Sequence, residues 1–382
     1  GLKLRLIIFS SSFEIIAYDV LCDYIEIVPT NLVNLREIHW KMKQFLLGKT
    51  LAELKDVCAE CGMPRFAAQQ MADWLYKKKV RDIDGMSNIS KDNRAKLSEK
   101  FEVGHIAPVE VLSSTDGTKK YAFPTGDEGQ LIESVMIPEE ERRTLCVSSQ
   151  AGCRMGCRFC MTGRQGWHGN LDAAEILNQF ISVNESAELT NTVFMGMGEP
   201  LDNYDTLNRV LSVLTADWGF GWSPKRITVS SIGVLPSLKR FLDEQRCHLA
   251  ISLHNPFPEE REKMMPAQKA WNILDVLKLI SKYDFSGQRR VSFEYTMFAG
   301  LNDDKRHADA LIRLLKGLEC RVNLIRFHKI PDFPYSSSVT QKMEDFRDRL
   351  NNNGILCTIR TSRGEDILAA CGMLAGKRSS AS

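Results

Sequence analysis

The chain has 382 residues, of which 43% are hydrophobic and 26% are charged, and its formal net charge is +2. This composition supplies an ordinary globular core and excludes a mainly disordered chain. A charge so close to balance also excludes a global field that attracts nucleic acid, so any such contact must use local basic clusters.

The cysteine count is odd, at eleven. In a long chain without a secretory signal, this favours a reducing compartment, where cysteines bind metal, react or pack in the core. We therefore expect a cytoplasmic protein. Because Glu14, Asp19 and Asp23 interrupt the apolar pattern near the start, we expect no membrane helix there.

Four segments are predicted along the chain. Residues 1–41 are interpreted as an extension of unknown role, because "MKQFLLGKTL" at 42–51 resembles a natural start. Residues 42–105 are predicted to form a small helical domain, whose first helix has a capping box at Thr50 and Glu53. Residues 106–376 form the core domain, which opens with a hairpin around Asp116 and Gly117, and residues 377–382 form a tail.

The core domain alternates apolar strands with amphipathic helices. Strand candidates begin at residues 144, 191, 226, 248, 290, 321 and 356. Repeated βα units predict an α/β fold with a parallel sheet, which is either open and doubly wound or a full or partial (βα) barrel.

Unusual polar residues follow the predicted strands. The strand ends carry, in chain order, the loop "CRMGCRFC" (153–160), "GMGEP" (196–200), Ser230, "SLH" (252–254) and His328. In parallel α/β folds the chemistry collects at the carboxyl ends of the strands. These residues therefore predict one functional face.

Cys153, Cys157 and Cys160 follow the pattern C-x3-C-x2-C. A structural zinc ion requires a fourth ligand, for which His168 is available. A [4Fe–4S] cluster normally takes four cysteines, one for each iron, so a three-cysteine loop leaves one iron open to a substrate or cofactor. The spacing is compatible with both sites, and the missing fourth cysteine favours the cluster.

The three-cysteine loop followed by a Gly-Glu-Pro turn resembles the radical S-adenosylmethionine (SAM) superfamily, in which SAM binds the open iron. Five segments extend the resemblance to the dual-specificity RNA adenine-C2 methyltransferases: "TLCVSSQAGCRMGCRFC", "GMGEPLDN", "ISLHNPFPEEREKMMP", "VNLIRFH" and "RTSRGEDILAACGMLAG". It spans Met42 to about Gly376 and implies a partial (βα)6 barrel preceded by a small helical domain that binds RNA.

The resemblance also implies substrates and cofactors. The family methylates one adenine in 23S ribosomal RNA and one beside the anticodon of certain transfer RNAs. It uses one [4Fe–4S] cluster per chain, two SAM molecules per turnover, and flavodoxin or ferredoxin as electron donor. The residues expected to bind SAM are Gly198, Glu199, Ser230, Ser252, Leu253, His254 and His328, the last at a position that is asparagine in many relatives.

Three further residues are implied to carry the reaction. Adenine C2 is not nucleophilic, so a carbon radical is required. Cys371 accepts a methyl group from one SAM, a 5′-deoxyadenosyl radical from a second SAM removes hydrogen from it, and the methylene radical adds to C2. Glu133 is the expected proton acceptor, and Cys146 then attacks the Cys371 sulfur to release the RNA and form a disulfide.

Other functions are also compatible with parts of the pattern. The related enzymes that methylate C8 of the same ribosomal adenine tend to carry alanine where this chain has Pro200. A non-catalytic Fe–S RNA-binding protein has no need of Cys146 and Cys371, and a radical SAM activase does not explain the helical domain. We expect a monomer.

The remaining features are weaker. Lys77, Lys78, Lys79 and Arg81, beside Trp74 and Tyr76, suit phosphate contact and base stacking. The remaining cysteines are predicted to pack in the core, namely Cys22, Cys58, Cys61, Cys247, Cys320 and Cys357.

Overall fold

The computed structural model describes residues 4–9, 15–21, 24–26, 43–126, 130–287 and 289–376, and the chain divides into two compact units, Gly1–Gln44 and Phe45–Ser382. In the first unit, β1 (Leu4–Phe9), β2 (Ile15–Leu21) and β3 (Tyr24–Glu26) form an antiparallel sheet. The predicted tail at 377–382 and the predicted core residue Cys22 lie outside the described residues.

Helices dominate the start of the second unit. β4 (Gln44–Phe45) is followed by α1 (Leu51–Glu60), α2 (Ala67–Ala72) with a π-helical turn (Asp73–Lys77), α3 (Lys91–Lys100) and β5 (Phe101–Glu102). The predicted capping box is confirmed, because the Thr50 N–H donates to Glu53 Oε2 at 2.7 Å and the Glu53 N–H donates to Thr50 Oγ1 at 3.3 Å.

Antiparallel strands lead into the main sheet. β6 (Glu110–Ser113) and β7 (Lys119–Thr125) form the predicted hairpin, in which Gly117 has a φ of +83°. Glycine suits this position because the left-handed region costs it little. β8 (Gln130–Glu139) pairs antiparallel with β7 and with β9 (Arg142–Cys146).

Strands and helices then alternate, as predicted. The elements are β10 (Gln150–Gly152), α4 (Met161–Arg164), β11 (Trp167–Asn170), α5 (Ala173–Ser182), β12 (Asn191–Phe194), α6 (Tyr204–Thr215), β13 (Ile227–Ser231), α7 (Leu235–Glu244), β14 (His248–Ser252), α8 (Pro258–Met264), α9 (Ile273–Ile280), β15 (Val291–Met297), α10 (Lys305–Leu315), β16 (Cys320–Arg326), α11 (Thr340–Asn352) and β17 (Leu356–Ile359).

The main sheet has ten strands in the order β17-β16-β15-β14-β13-β12-β9-β8-β7-β6, and every pairing from β9 to β17 is parallel. No ladder joins β17 to β6 in the described ranges, so the sheet is open at both edges. Five strands, β12 to β16, nevertheless contribute residues to the wall of one cavity. A flat doubly wound sheet would not surround a common interior, so the fold is the predicted partial (βα)6 barrel with β17 as an additional parallel strand.

β15 illustrates how the sequence divides the two faces of the sheet. Phe293, Tyr295 and Met297 are fully buried, and the Tyr295 ring lies 5.4 Å from that of Phe346 on α11. Glu294 and Thr296, at the alternate positions, line the interior cavity. Within the described residues, no helix is both long enough and apolar enough to span a membrane.

Candidate active site

The three cysteines of the loop after β10 line one interior cavity of about 170 Å³. β10 and β11 pair antiparallel and bracket this loop. The Cys153 N–H donates to the Gly166 carbonyl at 2.7 Å, and the Arg158 N–H donates to the Met264 carbonyl at 2.9 Å. These bonds fix the loop between β11 and α8.

Two glycines fix the path of the loop because a larger residue has no space. A Cβ at Gly152, where φ is +71°, would lie 2.0 Å from the Gly166 carbonyl oxygen. A Cβ at Gly163 would lie 2.9 Å from the Cys157 backbone nitrogen. The positions of the cysteines therefore depend on close backbone packing.

The thiols are suited to bind a metal cluster as thiolates. Burial raises the pKa of Cys153 to about 12, and burial together with the neighbouring thiols raises the pKa of Cys157 well above its usual value. Such thiols lose their protons when a cationic group binds them. A [4Fe–4S] cluster places each sulfur on a separate iron, so three thiols on one cavity wall are sufficient to hold it.

His168, the alternative zinc ligand, is exposed on β11 and does not line this cavity. The zinc interpretation therefore lacks its fourth ligand.

Five of the predicted SAM-binding residues line the same cavity, namely Gly198, Glu199, Ser230, Ser252 and His254. Leu253 is fully buried and is not part of the cavity wall. His328 is not brought to this cavity. It lies just beyond β16, where its Nε2 is 3.1 Å from Ser362 Oγ, and it lines a second cavity instead.

The turn after β12 presents a buried carboxylate to the cavity. Glu199 donates its N–H to Gln150 Oε1 at 2.8 Å, and its carboxylate accepts the N–H groups of Leu201 at 3.0 Å and Ile232 at 2.9 Å. Burial nevertheless raises the pKa of Glu199 to about 7. A carboxylate held in this way is suited to a cationic amino group, which would stabilise its charged form.

Gly198 allows this turn to approach β10. Its φ is +100°, and a Cβ there would lie 2.6 Å from Gln150 Cβ. Both the backbone conformation and the lack of space require glycine.

His254 is a neutral hydrogen-bonding group. Its Nδ1 accepts the Thr296 N–H at 2.9 Å, so the ring proton is on Nε2. Burial lowers the pKa of His254 to about 3, and the positive charge of Arg261 contributes to the same shift. The ring therefore offers one N–H donor at all physiological pH values.

Cys146 and Cys371 both lie on the wall of the second cavity, which has a volume of about 340 Å³. Cys371 also lines the first cavity. Burial raises the pKa of Cys146 to about 12. The residue Cys371 is exposed as a whole, but desolvation of its thiol by the cavity wall, together with the charge of Glu294, raises its pKa as well. All ten described cysteines are free.

The segment that carries Cys371 docks on the cysteine loop. The Met161 N–H donates to the Gly372 carbonyl at 2.8 Å, and Thr162 Oγ1 donates to the Leu374 carbonyl at 2.7 Å. These contacts explain why a residue near the chain end reaches the site.

Glu133 anchors the end of the same segment. Its Oε2 accepts the N–H groups of Ala375 at 2.7 Å and Gly376 at 3.0 Å, and its Oε1 lies 3.0 Å from Lys120 Nζ. Glu133 lines neither cavity.

The second cavity is strongly basic. Seven cationic side chains line it, whereas Glu139 and Glu294 are its only carboxylates among the described residues; the cations are Arg142, Lys225, Arg226, Arg290, Arg326, Arg360 and Arg363. A polyanion is therefore favoured at this opening although the whole chain is nearly neutral.

The basic cluster of the helical region is less accessible to RNA than predicted. Tyr76 is 1% exposed and donates its hydroxyl to the Lys49 carbonyl, so the predicted base stacking on Tyr76 is wrong. Lys79 Nζ donates to the Ser186 carbonyl, and Lys78 Nζ covers the Trp74 ring at 3.8 Å from its centroid.

Sequence reasoning did not single out Glu294, Arg261 or Lys120, all of which are buried. For Glu294 a signal was available, because "VSFEYTM" places one carboxylate in the middle of an otherwise uncharged strand. Arg261 and Lys120 are surrounded by ordinary polar sequence, so nothing distinguished them.

Comparisons with known proteins agree with this geometry. Residues 147–311 match the radical SAM superfamily, and residues 44–103 match the ribosomal RNA large subunit methyltransferase N-terminal domain. The radical SAM match implies a [4Fe–4S] cluster and SAM as cofactors.

Curated relatives cover nearly the whole chain. A probable dual-specificity RNA methyltransferase RlmN from Porphyromonas gingivalis is 60% identical over 340 residues, which is 89% of this chain and 96% of that protein. The protein of the same name from Bacillus cytotoxicus is 39% identical over 88% of this chain and 94% of its own length.

A solved structure matches as well. The crystal structure of a radical SAM methyltransferase from Sphaerobacter thermophilus has a TM-score of 0.83 and 38% identity, and the match covers 87% of this chain and 100% of that one. On these grounds the chain belongs to the RlmN family of dual-specificity RNA methyltransferases within the radical SAM superfamily.

Proposed function

We propose that this protein methylates C2 of a specific adenine in 23S ribosomal RNA and C2 of an adenine next to the anticodon of transfer RNAs. The observation that carries the proposal is the position of Cys371, which lines both the cavity of the cysteine loop and the basic cavity that contains Cys146. A thiol at this junction has access to a cofactor on one side and to a polyanion on the other. The names of the relatives support RNA as the polyanion.

In this proposal, Cys153, Cys157 and Cys160 hold the cluster, and Gly198, Glu199, Ser230, Ser252 and His254 bind SAM. When bound, the cluster and SAM supply the electron, the methyl group and the hydrogen-abstracting group that the reaction uses.

Two thiols of the chain carry out the remaining steps, which are methyl acceptance and release of the RNA. Cys371 accepts the methyl group and later joins the target adenine covalently. Cys146 attacks the Cys371 sulfur, which releases the methylated RNA and leaves a disulfide that cellular thiols reduce. The high pKa of Cys146 keeps it as a thiol until that step.

Further assignments complete the proposal. The helical segment 42–105 contacts the RNA through exposed lysines such as Lys77, and 106–376 is the catalytic domain. Glu133 stays a predicted proton acceptor, and Leu253 and His328 stay predicted SAM contacts. Flavodoxin or ferredoxin supplies electrons, and the protein acts as a cytoplasmic monomer, consistent with the free thiols of its described part.

The test compares variants of the two thiols with a control variant of a buried cysteine. With reconstituted protein, reductant, SAM and an RNA fragment, we expect Cys371→Ala to abolish RNA methylation and Cys146→Ala to accumulate a covalent protein–RNA adduct on denaturing gels. Cys357→Ala, which changes a buried cysteine outside both cavities, should retain methylation.

Mass spectrometry of the product identifies the position. The proposal requires 2-methyladenosine, whereas 8-methyladenosine would assign the C8 activity instead. RNA methylation by Cys371→Ala, or an absence of adduct in Cys146→Ala, would contradict the roles of the thiols.

A further inference from the structure

A third cavity, with a volume of about 480 Å³, lies beside the cysteine loop and α8. Parts of the cysteine loop, the ends of α4 and α8, Leu301 and residues 332–335 form its wall, and this cavity is named the α8 groove. Among the described residues, none lines both the α8 groove and the basic cavity. A molecule in the groove would therefore leave the proposed RNA opening free.

The wall between the α8 groove and the first cavity is one residue thick at two places. Gly156 and Arg158 line the groove, whereas Cys157 between them lines the first cavity. Met264 lines the groove, whereas its neighbour Met265 lines the first cavity. The bond from the Arg158 N–H to the Met264 carbonyl, at 2.9 Å, joins the two places. A redox group in the groove would therefore come close to the thiols that are proposed to hold the cluster.

A row of aromatic rings also connects the groove to the cysteine loop. Tyr335 is 38% exposed, and its ring centroid lies 5.3 Å from that of Phe333. The Phe333 ring lies 5.8 Å from Phe298, which lies 5.4 Å from Phe159. Phe159 belongs to the cysteine loop and lines the first cavity. Packed atoms therefore fill the path from the groove to the cluster site, and electrons tunnel faster through packed atoms than across gaps.

The charge of the α8 groove is positive. Arg158, Arg164 and Lys263 line it, and Asp332 is its only carboxylate among the described residues. Asp332 Oδ2 lies 3.8 Å from Arg164 Nη2, whereas Lys263 is exposed and forms no ion pair within the described part of the chain. The groove therefore combines unpaired positive charge with the exposed aromatic surface of Tyr335.

We propose that the α8 groove is the docking surface for the electron donor, and that this donor is an acidic protein with an exposed flavin edge, as flavodoxin is. The inference rests on the proposed function, which requires electrons at the cluster. One electron passes from the reduced flavin to the cluster at each encounter, so the flavin is oxidised by one electron and the cluster is reduced by one. No covalent bond of this chain forms or breaks in this step.

The composition of the groove favours this occupant over two others. An acidic protein complements the positive charge, and the planar, apolar edge of a flavin suits the surface of Phe333 and Tyr335. A ferredoxin covers its iron–sulfur centre with a polar loop, for which these rings offer no partner. RNA must reach Cys371, which the groove does not include.

The experiment compares two electron sources in reconstituted protein. With subsaturating flavodoxin, its reductase and NADPH at low salt, Lys263→Glu should methylate RNA about tenfold more slowly than the wild type. With dithionite, a small reductant that needs no docking surface, its rate should equal that of the wild type. Lys263→Arg keeps the charge and should keep both rates. The matched control is Lys278→Glu, which changes an exposed lysine in the last turn of α9, outside the groove, and should also keep both.

A second measurement needs neither cluster nor turnover. Oxidised flavodoxin is titrated onto the immobilised apoprotein, and its dissociation constant is measured at several salt concentrations. Lys263→Glu should raise the dissociation constant about tenfold at low salt, and this difference should shrink as salt screens the charges. The affinity of Lys263→Glu for RNA should equal that of the wild type.

The outcomes separate the docking surface from the proposed function. Wild-type affinity for flavodoxin and a wild-type flavodoxin-driven rate in Lys263→Glu would overturn the docking surface. A loss with ferredoxin but not with flavodoxin would overturn the choice of donor, and a loss of RNA affinity instead would assign the groove to RNA. If the wild type does not methylate RNA even with dithionite, the proposed function fails, whereas the binding measurement still tests the groove.

Discussion

Arg261 shows how one buried charge shapes the cofactor cavity. It has no exposed surface and donates to the carbonyls of Ser252 at 2.9 Å, Leu253 at 3.0 Å and Ile232 at 3.3 Å. A fourth bond joins it to Gln268 Oε1 at 2.6 Å. No carboxylate in the described ranges pairs with it, and Cys157 is the group whose negative charge, as a thiolate, would oppose it.

We expect Arg261→Met to lower the free energy of unfolding by about 3 kcal/mol, because several buried carbonyls lose their donor. Its SAM affinity should also fall, since those carbonyls belong to loops that line the cavity. Denaturant titration and equilibrium dialysis measure the two effects. Arg261→Lys keeps the charge without the planar set of donors and should be intermediate; a stability equal to that of the wild type in Arg261→Met would contradict this role.

Cys146 gives a prediction about pH. Its pKa of about 12 means that the reactive thiolate is a minor species at neutral pH, and that its fraction rises tenfold with each pH unit. Decay of the protein–RNA adduct in single-turnover experiments should therefore accelerate about 100-fold from pH 7 to pH 9. A rate independent of pH would show that another step limits release.

Single functional residues can be predicted from the sequence when they belong to a short local motif. Cys153, Cys157 and Cys160 are close in the chain, and Glu199 follows a strand end. Glu294 was not predicted to line a cavity, because its place there depends on which cavities β15 borders.

At the scale of elements, the turn after β12 depends on glycine. We expect Gly198→Ala to abolish SAM binding, because φ is +100° and the new Cβ would lie 2.6 Å from Gln150 Cβ. Gly221→Ala is the matched control: φ is +69° and no atom lies within 4 Å of the new Cβ. It should cost about 1 kcal/mol of stability and leave SAM binding intact. Isothermal titration with reconstituted protein distinguishes the two, and equal affinities would contradict the steric argument.

The elements themselves were predictable where periodicity is strong. The parallel strands are short apolar runs, and α1 begins at the predicted cap Thr50. β10 and β11 were not predicted, because each is short and their pairing depends on the close approach of Gly152 to Gly166. The sequence between β10 and β11 has no alternating apolar pattern that would predict these two strands.

At the scale of the whole molecule, positive charge is concentrated in one cavity, whereas the net charge of the chain is small. The net charge is +2, yet seven cations line the cavity that holds the thiol pair. Composition is an average over the whole chain and could not reveal this. Arg226 and Arg290 precede β13 and β15, which are distant in sequence and are brought to the same cavity only by the sheet, where β14 lies between them. The opening therefore attracts phosphate groups although the whole chain is nearly neutral.

The salt dependence of RNA binding should report this segregation. We expect the double variant Arg226→Gln, Arg290→Gln to weaken RNA binding and to reduce the slope of log affinity against log salt by about 0.7 to 0.9 for each RNA phosphate that the variant no longer neutralises. Neither side chain forms an ion pair in the described structure, so the fold should be unaffected. Lys239→Gln removes an exposed cation on α7 that pairs with Asp243 at 2.6 Å, outside the cavity, and should leave the slope unchanged. Filter binding from low to high salt gives the slopes, and parallel lines for the double variant and the wild type would show that RNA docks elsewhere.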